Sequence, residues 1–381
     1  MPSERIPLSE PYLAGNARRY LEECIDTNFV SSVGPFVERF EREVADYVGA
    51  RYAVACASGT AALHVALRLV GIGVGDEVFV SSFTFIASAN PIVYLGGTPV
   101  LVDSESTTWN LDPGLVIEEL EARIRRGAPL PKAVEVVHVL GHPADLEALL
   151  RICIHHGIAV IEDAAEALGA TFTTGSLAGR HVGTIGRLGC FSFNGNKIIT
   201  TGGGGMIVTD DATLARMAKH LTTQARVAGR GYFHDEVGFN YRLTNLAAAL
   251  GVAQLEELDG FLVKKAALAQ RYDAAFQGCA GITLPPRASF AQPSHWLYSI
   301  LFENSTERDA VLDRLNRAGI EARPLWTPLH LMPPYRKAEM LGDGLVSEGL
   351  AARGLSLPSS VQLSMEQQSR VIDLVLKGFQ T

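Results

Sequence analysis

The stretch CFSFNGNKIITTGGGGMIV, residues 190–208, sets Lys197 between an apolar, strand-like run and four consecutive glycines. A lysine brought into a crowded, mostly apolar turn sheds solvation, which favours the free amine, a nucleophile toward carbonyl carbon. The plain alternative is a solvated lysine beside a flexible glycine turn. Two other stretches carry complementary chemistry. In ASGTAALHVAL, Ser58 and Thr60 stand where a helix should begin. Unpaired backbone N–H groups and the positive end of the helix dipole suit an anion there, and Gly59 lets the backbone approach it closely. The same residues also read as an ordinary helix cap. In VIEDAAEALGA, Asp163 ends an apolar run, and the C-terminal ends of parallel strands are where open sheets bind ligands. Asp163 followed by Glu166 fits a capping box of a short helix equally well.

The surrounding pattern must position these groups. From about residue 52 to residue 210, short β-rich runs (YAVACA, EVFVSS, AVEVVHVL, IAVIED) alternate with helical ones (GTAALHVALRLVG, TFIASANPIVYLGG, ADLEALLRICIHHG). This alternation predicts an α/β fold around a mostly parallel sheet, with helices on both faces of continuously apolar strands. One long helical stretch, RLTNLAAALGVAQLEELDGFLVKKAALAQRYDAAF, is expected to link a large domain, 1–259 with an N-terminal arm, to a smaller C-terminal α/β domain, 260–381. RPLWTPLHLMPPY reads as an irregular Pro-rich loop. The pair His155 and His156 suits a helix C-terminus, where it complements the dipole.

Composition narrows the function classes. With 381 residues, 47% of them hydrophobic, the chain can bury a large core. Its formal net charge of −8, with no basic block to offset it, argues against nucleic acid as a partner. The five cysteines are scattered without metal-ligand spacing, so neither a disulfide framework nor a zinc site is expected. The start of the chain lacks a signal-peptide pattern, and the apolar run near residues 53–74 is interrupted by His64 and Arg68, so no membrane partner and a cytoplasmic location are expected. Neither G-x-G-x-x-G nor G-x-x-x-x-G-K-[ST] occurs, which counts against a dinucleotide- or nucleotide-binding protein built on the glycine run.

An anion seat, a strand-end acid and an enclosed amine in one α/β domain are the three things that pyridoxal 5'-phosphate requires: a phosphate cradle, a partner for the pyridine nitrogen and an amine for the aldehyde. Over almost its whole length, from PYLAGNARRYLEECIDTNFVSSVGPFVERF through SFTFIASANPIVYLGG, VIEDAAEALGA and SFNGNKIITTGGGG to VGFNYRLTNLAAALG, the chain resembles the DegT/DnrJ/EryC1/StrS sugar aminotransferases. The resemblance implies a fold type I transferase with Lys197 bound to the cofactor aldehyde and Asp163 paired with its ring nitrogen. It implies a phosphate held by Gly59, Thr60 and Ser192, with Asn194 and Glu166 beside the cofactor and Phe83 near the outer face of its ring. Glu166 stands where the family commonly has Gln. Asn240 would reach the phosphate from a neighbouring subunit, so a homodimer with shared sites is implied.

SFNGNKIITTGGGG and TNFVSSVG look most like enzymes that aminate C4 of a UDP-linked 4-keto-6-deoxy-N-acetylhexosamine, of the bacillosamine or legionaminic acid type. L-Glutamate is the expected donor, and GDP- or TDP-linked keto sugars, at C4 or C3, are the alternative. Ser31, Arg226, Arg230 and His330, with the aromatic-rich HWLY, are placed on the nucleotide-sugar side. A related sugar dehydratase is disfavoured because Lys197 would there be histidine; a non-catalytic cofactor carrier is the remaining alternative. No metal is expected.

Overall fold

The computed structural model describes residues 5–377 and Phe379. At its centre is an eight-stranded sheet in the order Tyr52–Cys56, Gly205–Thr209, Leu188–Ser192, Ala159–Asp163, Ala133–Val137, Glu77–Ser81, Thr98–Val102, Met340–Leu341. Gly205–Thr209 runs against both of its neighbours, and the other pairings are parallel. That one reversal has a local cause. The loop 193–204 is too short for a crossover, so the chain returns beside Leu188–Ser192 as an antiparallel neighbour, with Ser192 opposite Gly205.

The apolar strands are explained by burial on both faces. Val134 and Val136 point into one core with Phe79, Val160 and Phe191. Ala133 points into the opposite core with Val78, Val80, Ile161 and Cys190, as the two-residue period of a strand requires. Helices Pro35–Val48 and Asn245–Glu256 supply Phe40, Val44, Ala249 and Val252 to the first core. Helix Gly59–Leu69 is buried along most of its length in the second, through Ala62, Leu63, Val65, Ala66 and Leu67.

The long helical stretch is divided. Asn245–Glu256 and Leu258–Phe276 are separate helices meeting at Glu257, whose ψ of −5° breaks the helical ladder. A third core gathers Ala269, Tyr272 and Phe276 of the second helix with Tyr298, Ile300, Phe302, Leu315 and Val371. It is built on a four-stranded antiparallel sheet ordered Arg323–Pro324, Gly354–Leu357, Tyr298–Phe302, Ile282–Thr283. The chain crosses between the two sheets in both directions. Ile6 bridges Ile320 and joins the third core, and Met340–Leu341 pairs with Thr98–Val102 at the edge of the large sheet. His156 caps the C-terminus of helix Glu147–His155, as the sequence suggested. Among the described residues, no helix is long and apolar enough to cross a membrane.

Candidate active site

A cavity of about 410 Å³ opens at the C-terminal ends of the parallel strands. Its lining brings together Gly59, Thr60, Asp163, Glu166, Ser192, Asn194 and Lys197, seven residues that the sequence singled out from three separate stretches.

The helix start supplies one end of the cavity. Ser58 caps helix Gly59–Leu69, its Oγ accepting the N–H of Ala61 at 3.1 Å. Among the described residues, no acceptor faces the N–H groups of Gly59 and Thr60. The cap and the anion seat therefore coexist: the side chain of Ser58 serves one donor and leaves the preceding two for a ligand. Close packing makes this seat. A Cβ on Gly59 would lie 2.8 Å from the Cβ of Ser192, and one on Gly205 would lie 2.3 Å from the carbonyl oxygen of Ser58. Only glycines let the helix start descend onto the two antiparallel strands.

Asp163 ends its strand facing the helix Gly59–Leu69 side, on the same face as Ile161. Oδ2 accepts the Ser88 hydroxyl at 2.8 Å, and Oδ1 accepts the Ala165 N–H at 3.1 Å. The capping-box alternative fails, because no helix follows and Glu166 turns away. Glu166 Oε2 accepts the N–H of Leu140 at 2.8 Å and Oε1 stands 3.6 Å from Lys197 Nζ. Burial raises the pKa of Asp163 against the opposing hydrogen bonds of Ser88 and Ala165. Burial likewise raises Glu166 to about 7, with the Lys197 charge acting in the opposite direction. Glu135, fully buried on the neighbouring strand, has among the described residues no hydrogen-bond partner for either oxygen, and burial together with Asp163 pushes its carboxyl well up. Asp163 thus shares its surroundings with a second buried acid and has only neutral hydrogen-bond donors, so a cation placed against it would be held strongly.

Lys197 follows the turn at Gly195–Asn196, its N–H donating to the carbonyl of Asn194 at 3.0 Å. The connection is short because Phe193 bonds Gly204 and Thr201 across its base. Nζ lies 3.9 Å from the ring centre of Trp296, whose own Nε1–H donates to the carbonyl of Asn196 at 2.6 Å. The amine therefore sits between an aromatic face and a carboxyl, in a mostly enclosed pocket.

Several placements differ from expectation. Phe83 is fully buried and packs edge-on to Trp326 at 5.7 Å, because the chain turns into the core directly after Ser81; Phe85 lines the cavity instead. His330 is fixed between Ser82, 2.7 Å from Nδ1, and Glu348, 3.1 Å from Nε2, and is not among the lining residues. Ser31, Arg226, Arg230 and Asn240 are exposed and lie outside this cavity. The Ser31 carbonyl accepts the N–H of Asn245, Arg226 and Arg230 lie over the rings of Tyr232 and Phe233, and Asn240 bridges Thr223. Ser88, Trp326, Arg323 and Ser356 belong to the site or its supports without having been singled out. Of the two C-terminal signals, His330 and HWLY, the second delivers Trp296 and Leu297 to the lining.

Comparison with known proteins fits this arrangement. The model of the DegT/DnrJ/EryC1/StrS aminotransferase family matches residues 11–376. The chain is 44% identical to a GDP-perosamine synthase of Caulobacter vibrioides over 97% of this chain and 96% of that one. It is 42% identical, over 99% and 97%, to EpsN of Bacillus subtilis, provisionally described as a pyridoxal phosphate-dependent aminotransferase. A crystal structure of a DegT DnrJ EryC1 StrS aminotransferase from Brucella abortus superposes with a TM-score of 0.89 at 29% identity, covering 96% of each chain.

Proposed function

The chain belongs to the DegT/DnrJ/EryC1/StrS aminotransferases, and from that premise we propose that it transfers an amino group from L-glutamate to C4 of a GDP-linked keto sugar. It is a pyridoxal 5'-phosphate-dependent enzyme acting on a nucleotide-linked keto sugar. The observation that carries the assignment is the convergence of a free helix start, a cation-seeking strand-end acid and an enclosed lysine on one cavity. Of the two readings taken from sequence motifs the alternative is the better supported: similarity to a GDP-perosamine synthase at 44% identity favours a GDP-linked sugar over the UDP-linked N-acetylhexosamine of the bacillosamine or legionaminic acid type.

The residues fit the cofactor. The N–H groups of Gly59 and Thr60 and the hydroxyl of Ser192 would hold its phosphate, and the glycines at 59 and 205 keep that seat open. Asp163, raised by burial and served only by neutral donors, would hold the ring nitrogen in its protonated form, which supplies the missing positive charge. When bound, the cofactor supplies an aldehyde carbon and a ring that takes up the electron pair released at the donor's Cα.

Lys197 Nζ would take the proton from the donor's Cα and hand it to the cofactor's aldehyde carbon, and in the second half-reaction it would move a proton the opposite way, from that carbon to C4 of the sugar. Glu166, 3.6 Å away with a pKa of about 7, stabilises the ammonium form between the two transfers. Trp296 covers one side of the amine and keeps water from it. Ser31, Arg226, Arg230 and Asn240, exposed on this subunit, are proposed to complete the site of a second copy, with the arginines meeting the diphosphate.

Gly205→Ala tests the seat. Its new methyl would meet backbone atoms of Ser58 and Gly59, which cannot swing aside. Pyridoxal phosphate affinity, read by absorbance titration, should fall by about tenfold or more, and the melting curve should report a loss of roughly 1–3 kcal/mol. The function itself is tested by incubating the enzyme with glutamate and a panel of GDP-, UDP- and TDP-linked keto sugars and assigning the amino product by NMR. Amination of the UDP sugar alone would sink the nucleotide assignment, and amination of none would sink the reaction.

A further inference from the structure

Lys265 is a buried cation with no part in the transfer as derived above. It lies on helix Leu258–Phe276 and is only 2% exposed. Nζ donates to the carbonyl oxygens of Trp296 and Ser359, each at 2.6 Å. Neither partner carries charge, and among the described residues Lys265 makes no ion pair. A buried ammonium without an anion is unfavourable, and burial lowers its pKa to about 7. The bridge survives either way, because a neutral amine still has two N–H groups, one for each carbonyl.

One acceptor belongs to a residue that lines the cavity, Trp296, and the other stands three residues beyond Ser356, which also lines it. Trp296 brackets the amine of Lys197 twice, by its ring face 3.9 Å from Nζ and by its Nε1–H on the carbonyl of the preceding residue, Asn196. It also stacks on Trp326, another lining residue, with ring centres 6.4 Å apart and planes 14° apart. Ser359 follows the strand Gly354–Leu357, which carries Ser356 in the cavity lining. Its hydroxyl accepts the N–H of Tyr298 at 2.9 Å and donates to Leu357 at 2.7 Å, so it is tied to both central strands of the smaller sheet. Lys265 therefore joins the peptide behind the indole to the segment that follows the Ser356 strand of the smaller sheet.

We propose that Lys265 is a positioning residue for amino transfer: by holding the carbonyls of Trp296 and Ser359 together, it fixes the indole that brackets the Lys197 amine. The proposal rests on the role given to Lys197. Without the bridge, Trp296 retains the indole bond to Asn196 but loses its backbone anchor, and the amine loses a fixed wall on the side of the smaller sheet.

The test uses Lys265→Met, which keeps the stem and removes both donors. In the holoenzyme with the best-aminated keto sugar, kcat should fall by at least about tenfold with KM changed by less than about twofold, as for misplacement of a reacting group rather than lost substrate contacts. In cofactor-free protein carrying Trp109→Phe and Trp326→Phe, acrylamide quenching of Trp296 should roughly double when Lys265→Met is added. Wild-type kcat overturns the proposal, and so does a reduced kcat with unchanged Trp296 quenching, which would mark a structural role elsewhere. Should Lys265→Met fail to fold, Lys265→Gln is measured the same way. Smaller changes of the same sign in both quantities support the proposal, and wild-type values in either overturn it. A wild-type enzyme that aminates nothing defeats the functional assignment alone, since the Trp296 measurement requires no turnover.

Discussion

Lys197→Ala should be folded and almost without turnover, with kcat reduced by at least about 1,000-fold, near the upper range for loss of a positioned acid–base group. Two features of the site make the loss this large. The amine is enclosed between the Trp296 ring and Glu166, so solvent bases do not readily take its place. Glu166, the nearest alternative base, is disabled by the same substitution. Its pKa of about 7 already includes the opposing influence of the Lys197 charge, and removing that charge drives it further up, leaving a protonated acid at neutral pH that cannot accept a proton. Lys197→Arg should fare no better, because a guanidinium keeps the charge but does not release its proton. Borohydride reduction of the cofactor-loaded enzyme, followed by peptide mass spectrometry, should find cofactor fixed at residue 197 in the wild type and at none in the alanine variant. An alanine variant within about tenfold of wild-type kcat would remove Lys197 from the mechanism.

The parts of the site that could be read from the sequence are those carried by contiguous strand–turn–helix pieces of the large sheet. Asp163 ends a strand of that sheet and Gly59 and Lys197 follow within a few residues of others, and parallel strands deliver their C-terminal ends to one edge, so local pattern was enough to predict convergence. The double meaning of Asp163 and Glu166 could be resolved only in three dimensions, since the N–H that Glu166 binds belongs to Leu140, on a different loop. Phe83 and Phe85 are equally apolar, and the turn after Ser81 decides which one reaches the cavity. Arg323 and Ser356 come from the smaller sheet and Trp326 from the segment after its edge strand, and the sheet's orientation is fixed by packing of the third core and by Met340–Leu341 crossing to the large sheet. No local spacing encodes which of its strand ends faces Lys197. The proposed preference for a GDP-linked over a UDP-linked sugar rests on overall similarity rather than on SFNGNKIITTGGGG, because that segment contributes Asn194, Asn196, Lys197, Gly203 and Gly204 to the lysine cavity and carries no separate signal for the base.

Lys265 gives a second large effect, on stability rather than rate, with a sign opposite to that of most lysines. Its pKa falls from 10.5 to about 7 on burial. Between these values the unfolded chain binds a proton that the folded chain does not, so stability rises with pH. The contribution is complete above the unfolded pKa and is lost as pH falls through the folded one. Over the whole window the shift corresponds to about 5 kcal/mol, of which about 2–3 kcal/mol falls between pH 7 and pH 9. Lys265→Met lacks the titration, so subtracting its urea-unfolding free energies from those of the wild type isolates Lys265 from shared groups such as Glu166. His295, lowered to about 3 chiefly by burial and in part by Lys265, stays neutral throughout this range. At pH 7 the variant loses two buried hydrogen bonds and is relieved of part of a buried charge, and these opposing changes partly cancel. At pH 9 the wild-type amine is neutral and still serves both carbonyls, so the variant has only the loss. Its deficit must therefore widen with pH; a deficit that is constant from pH 7 to pH 9 would show that Lys265 keeps an ordinary ammonium despite its burial.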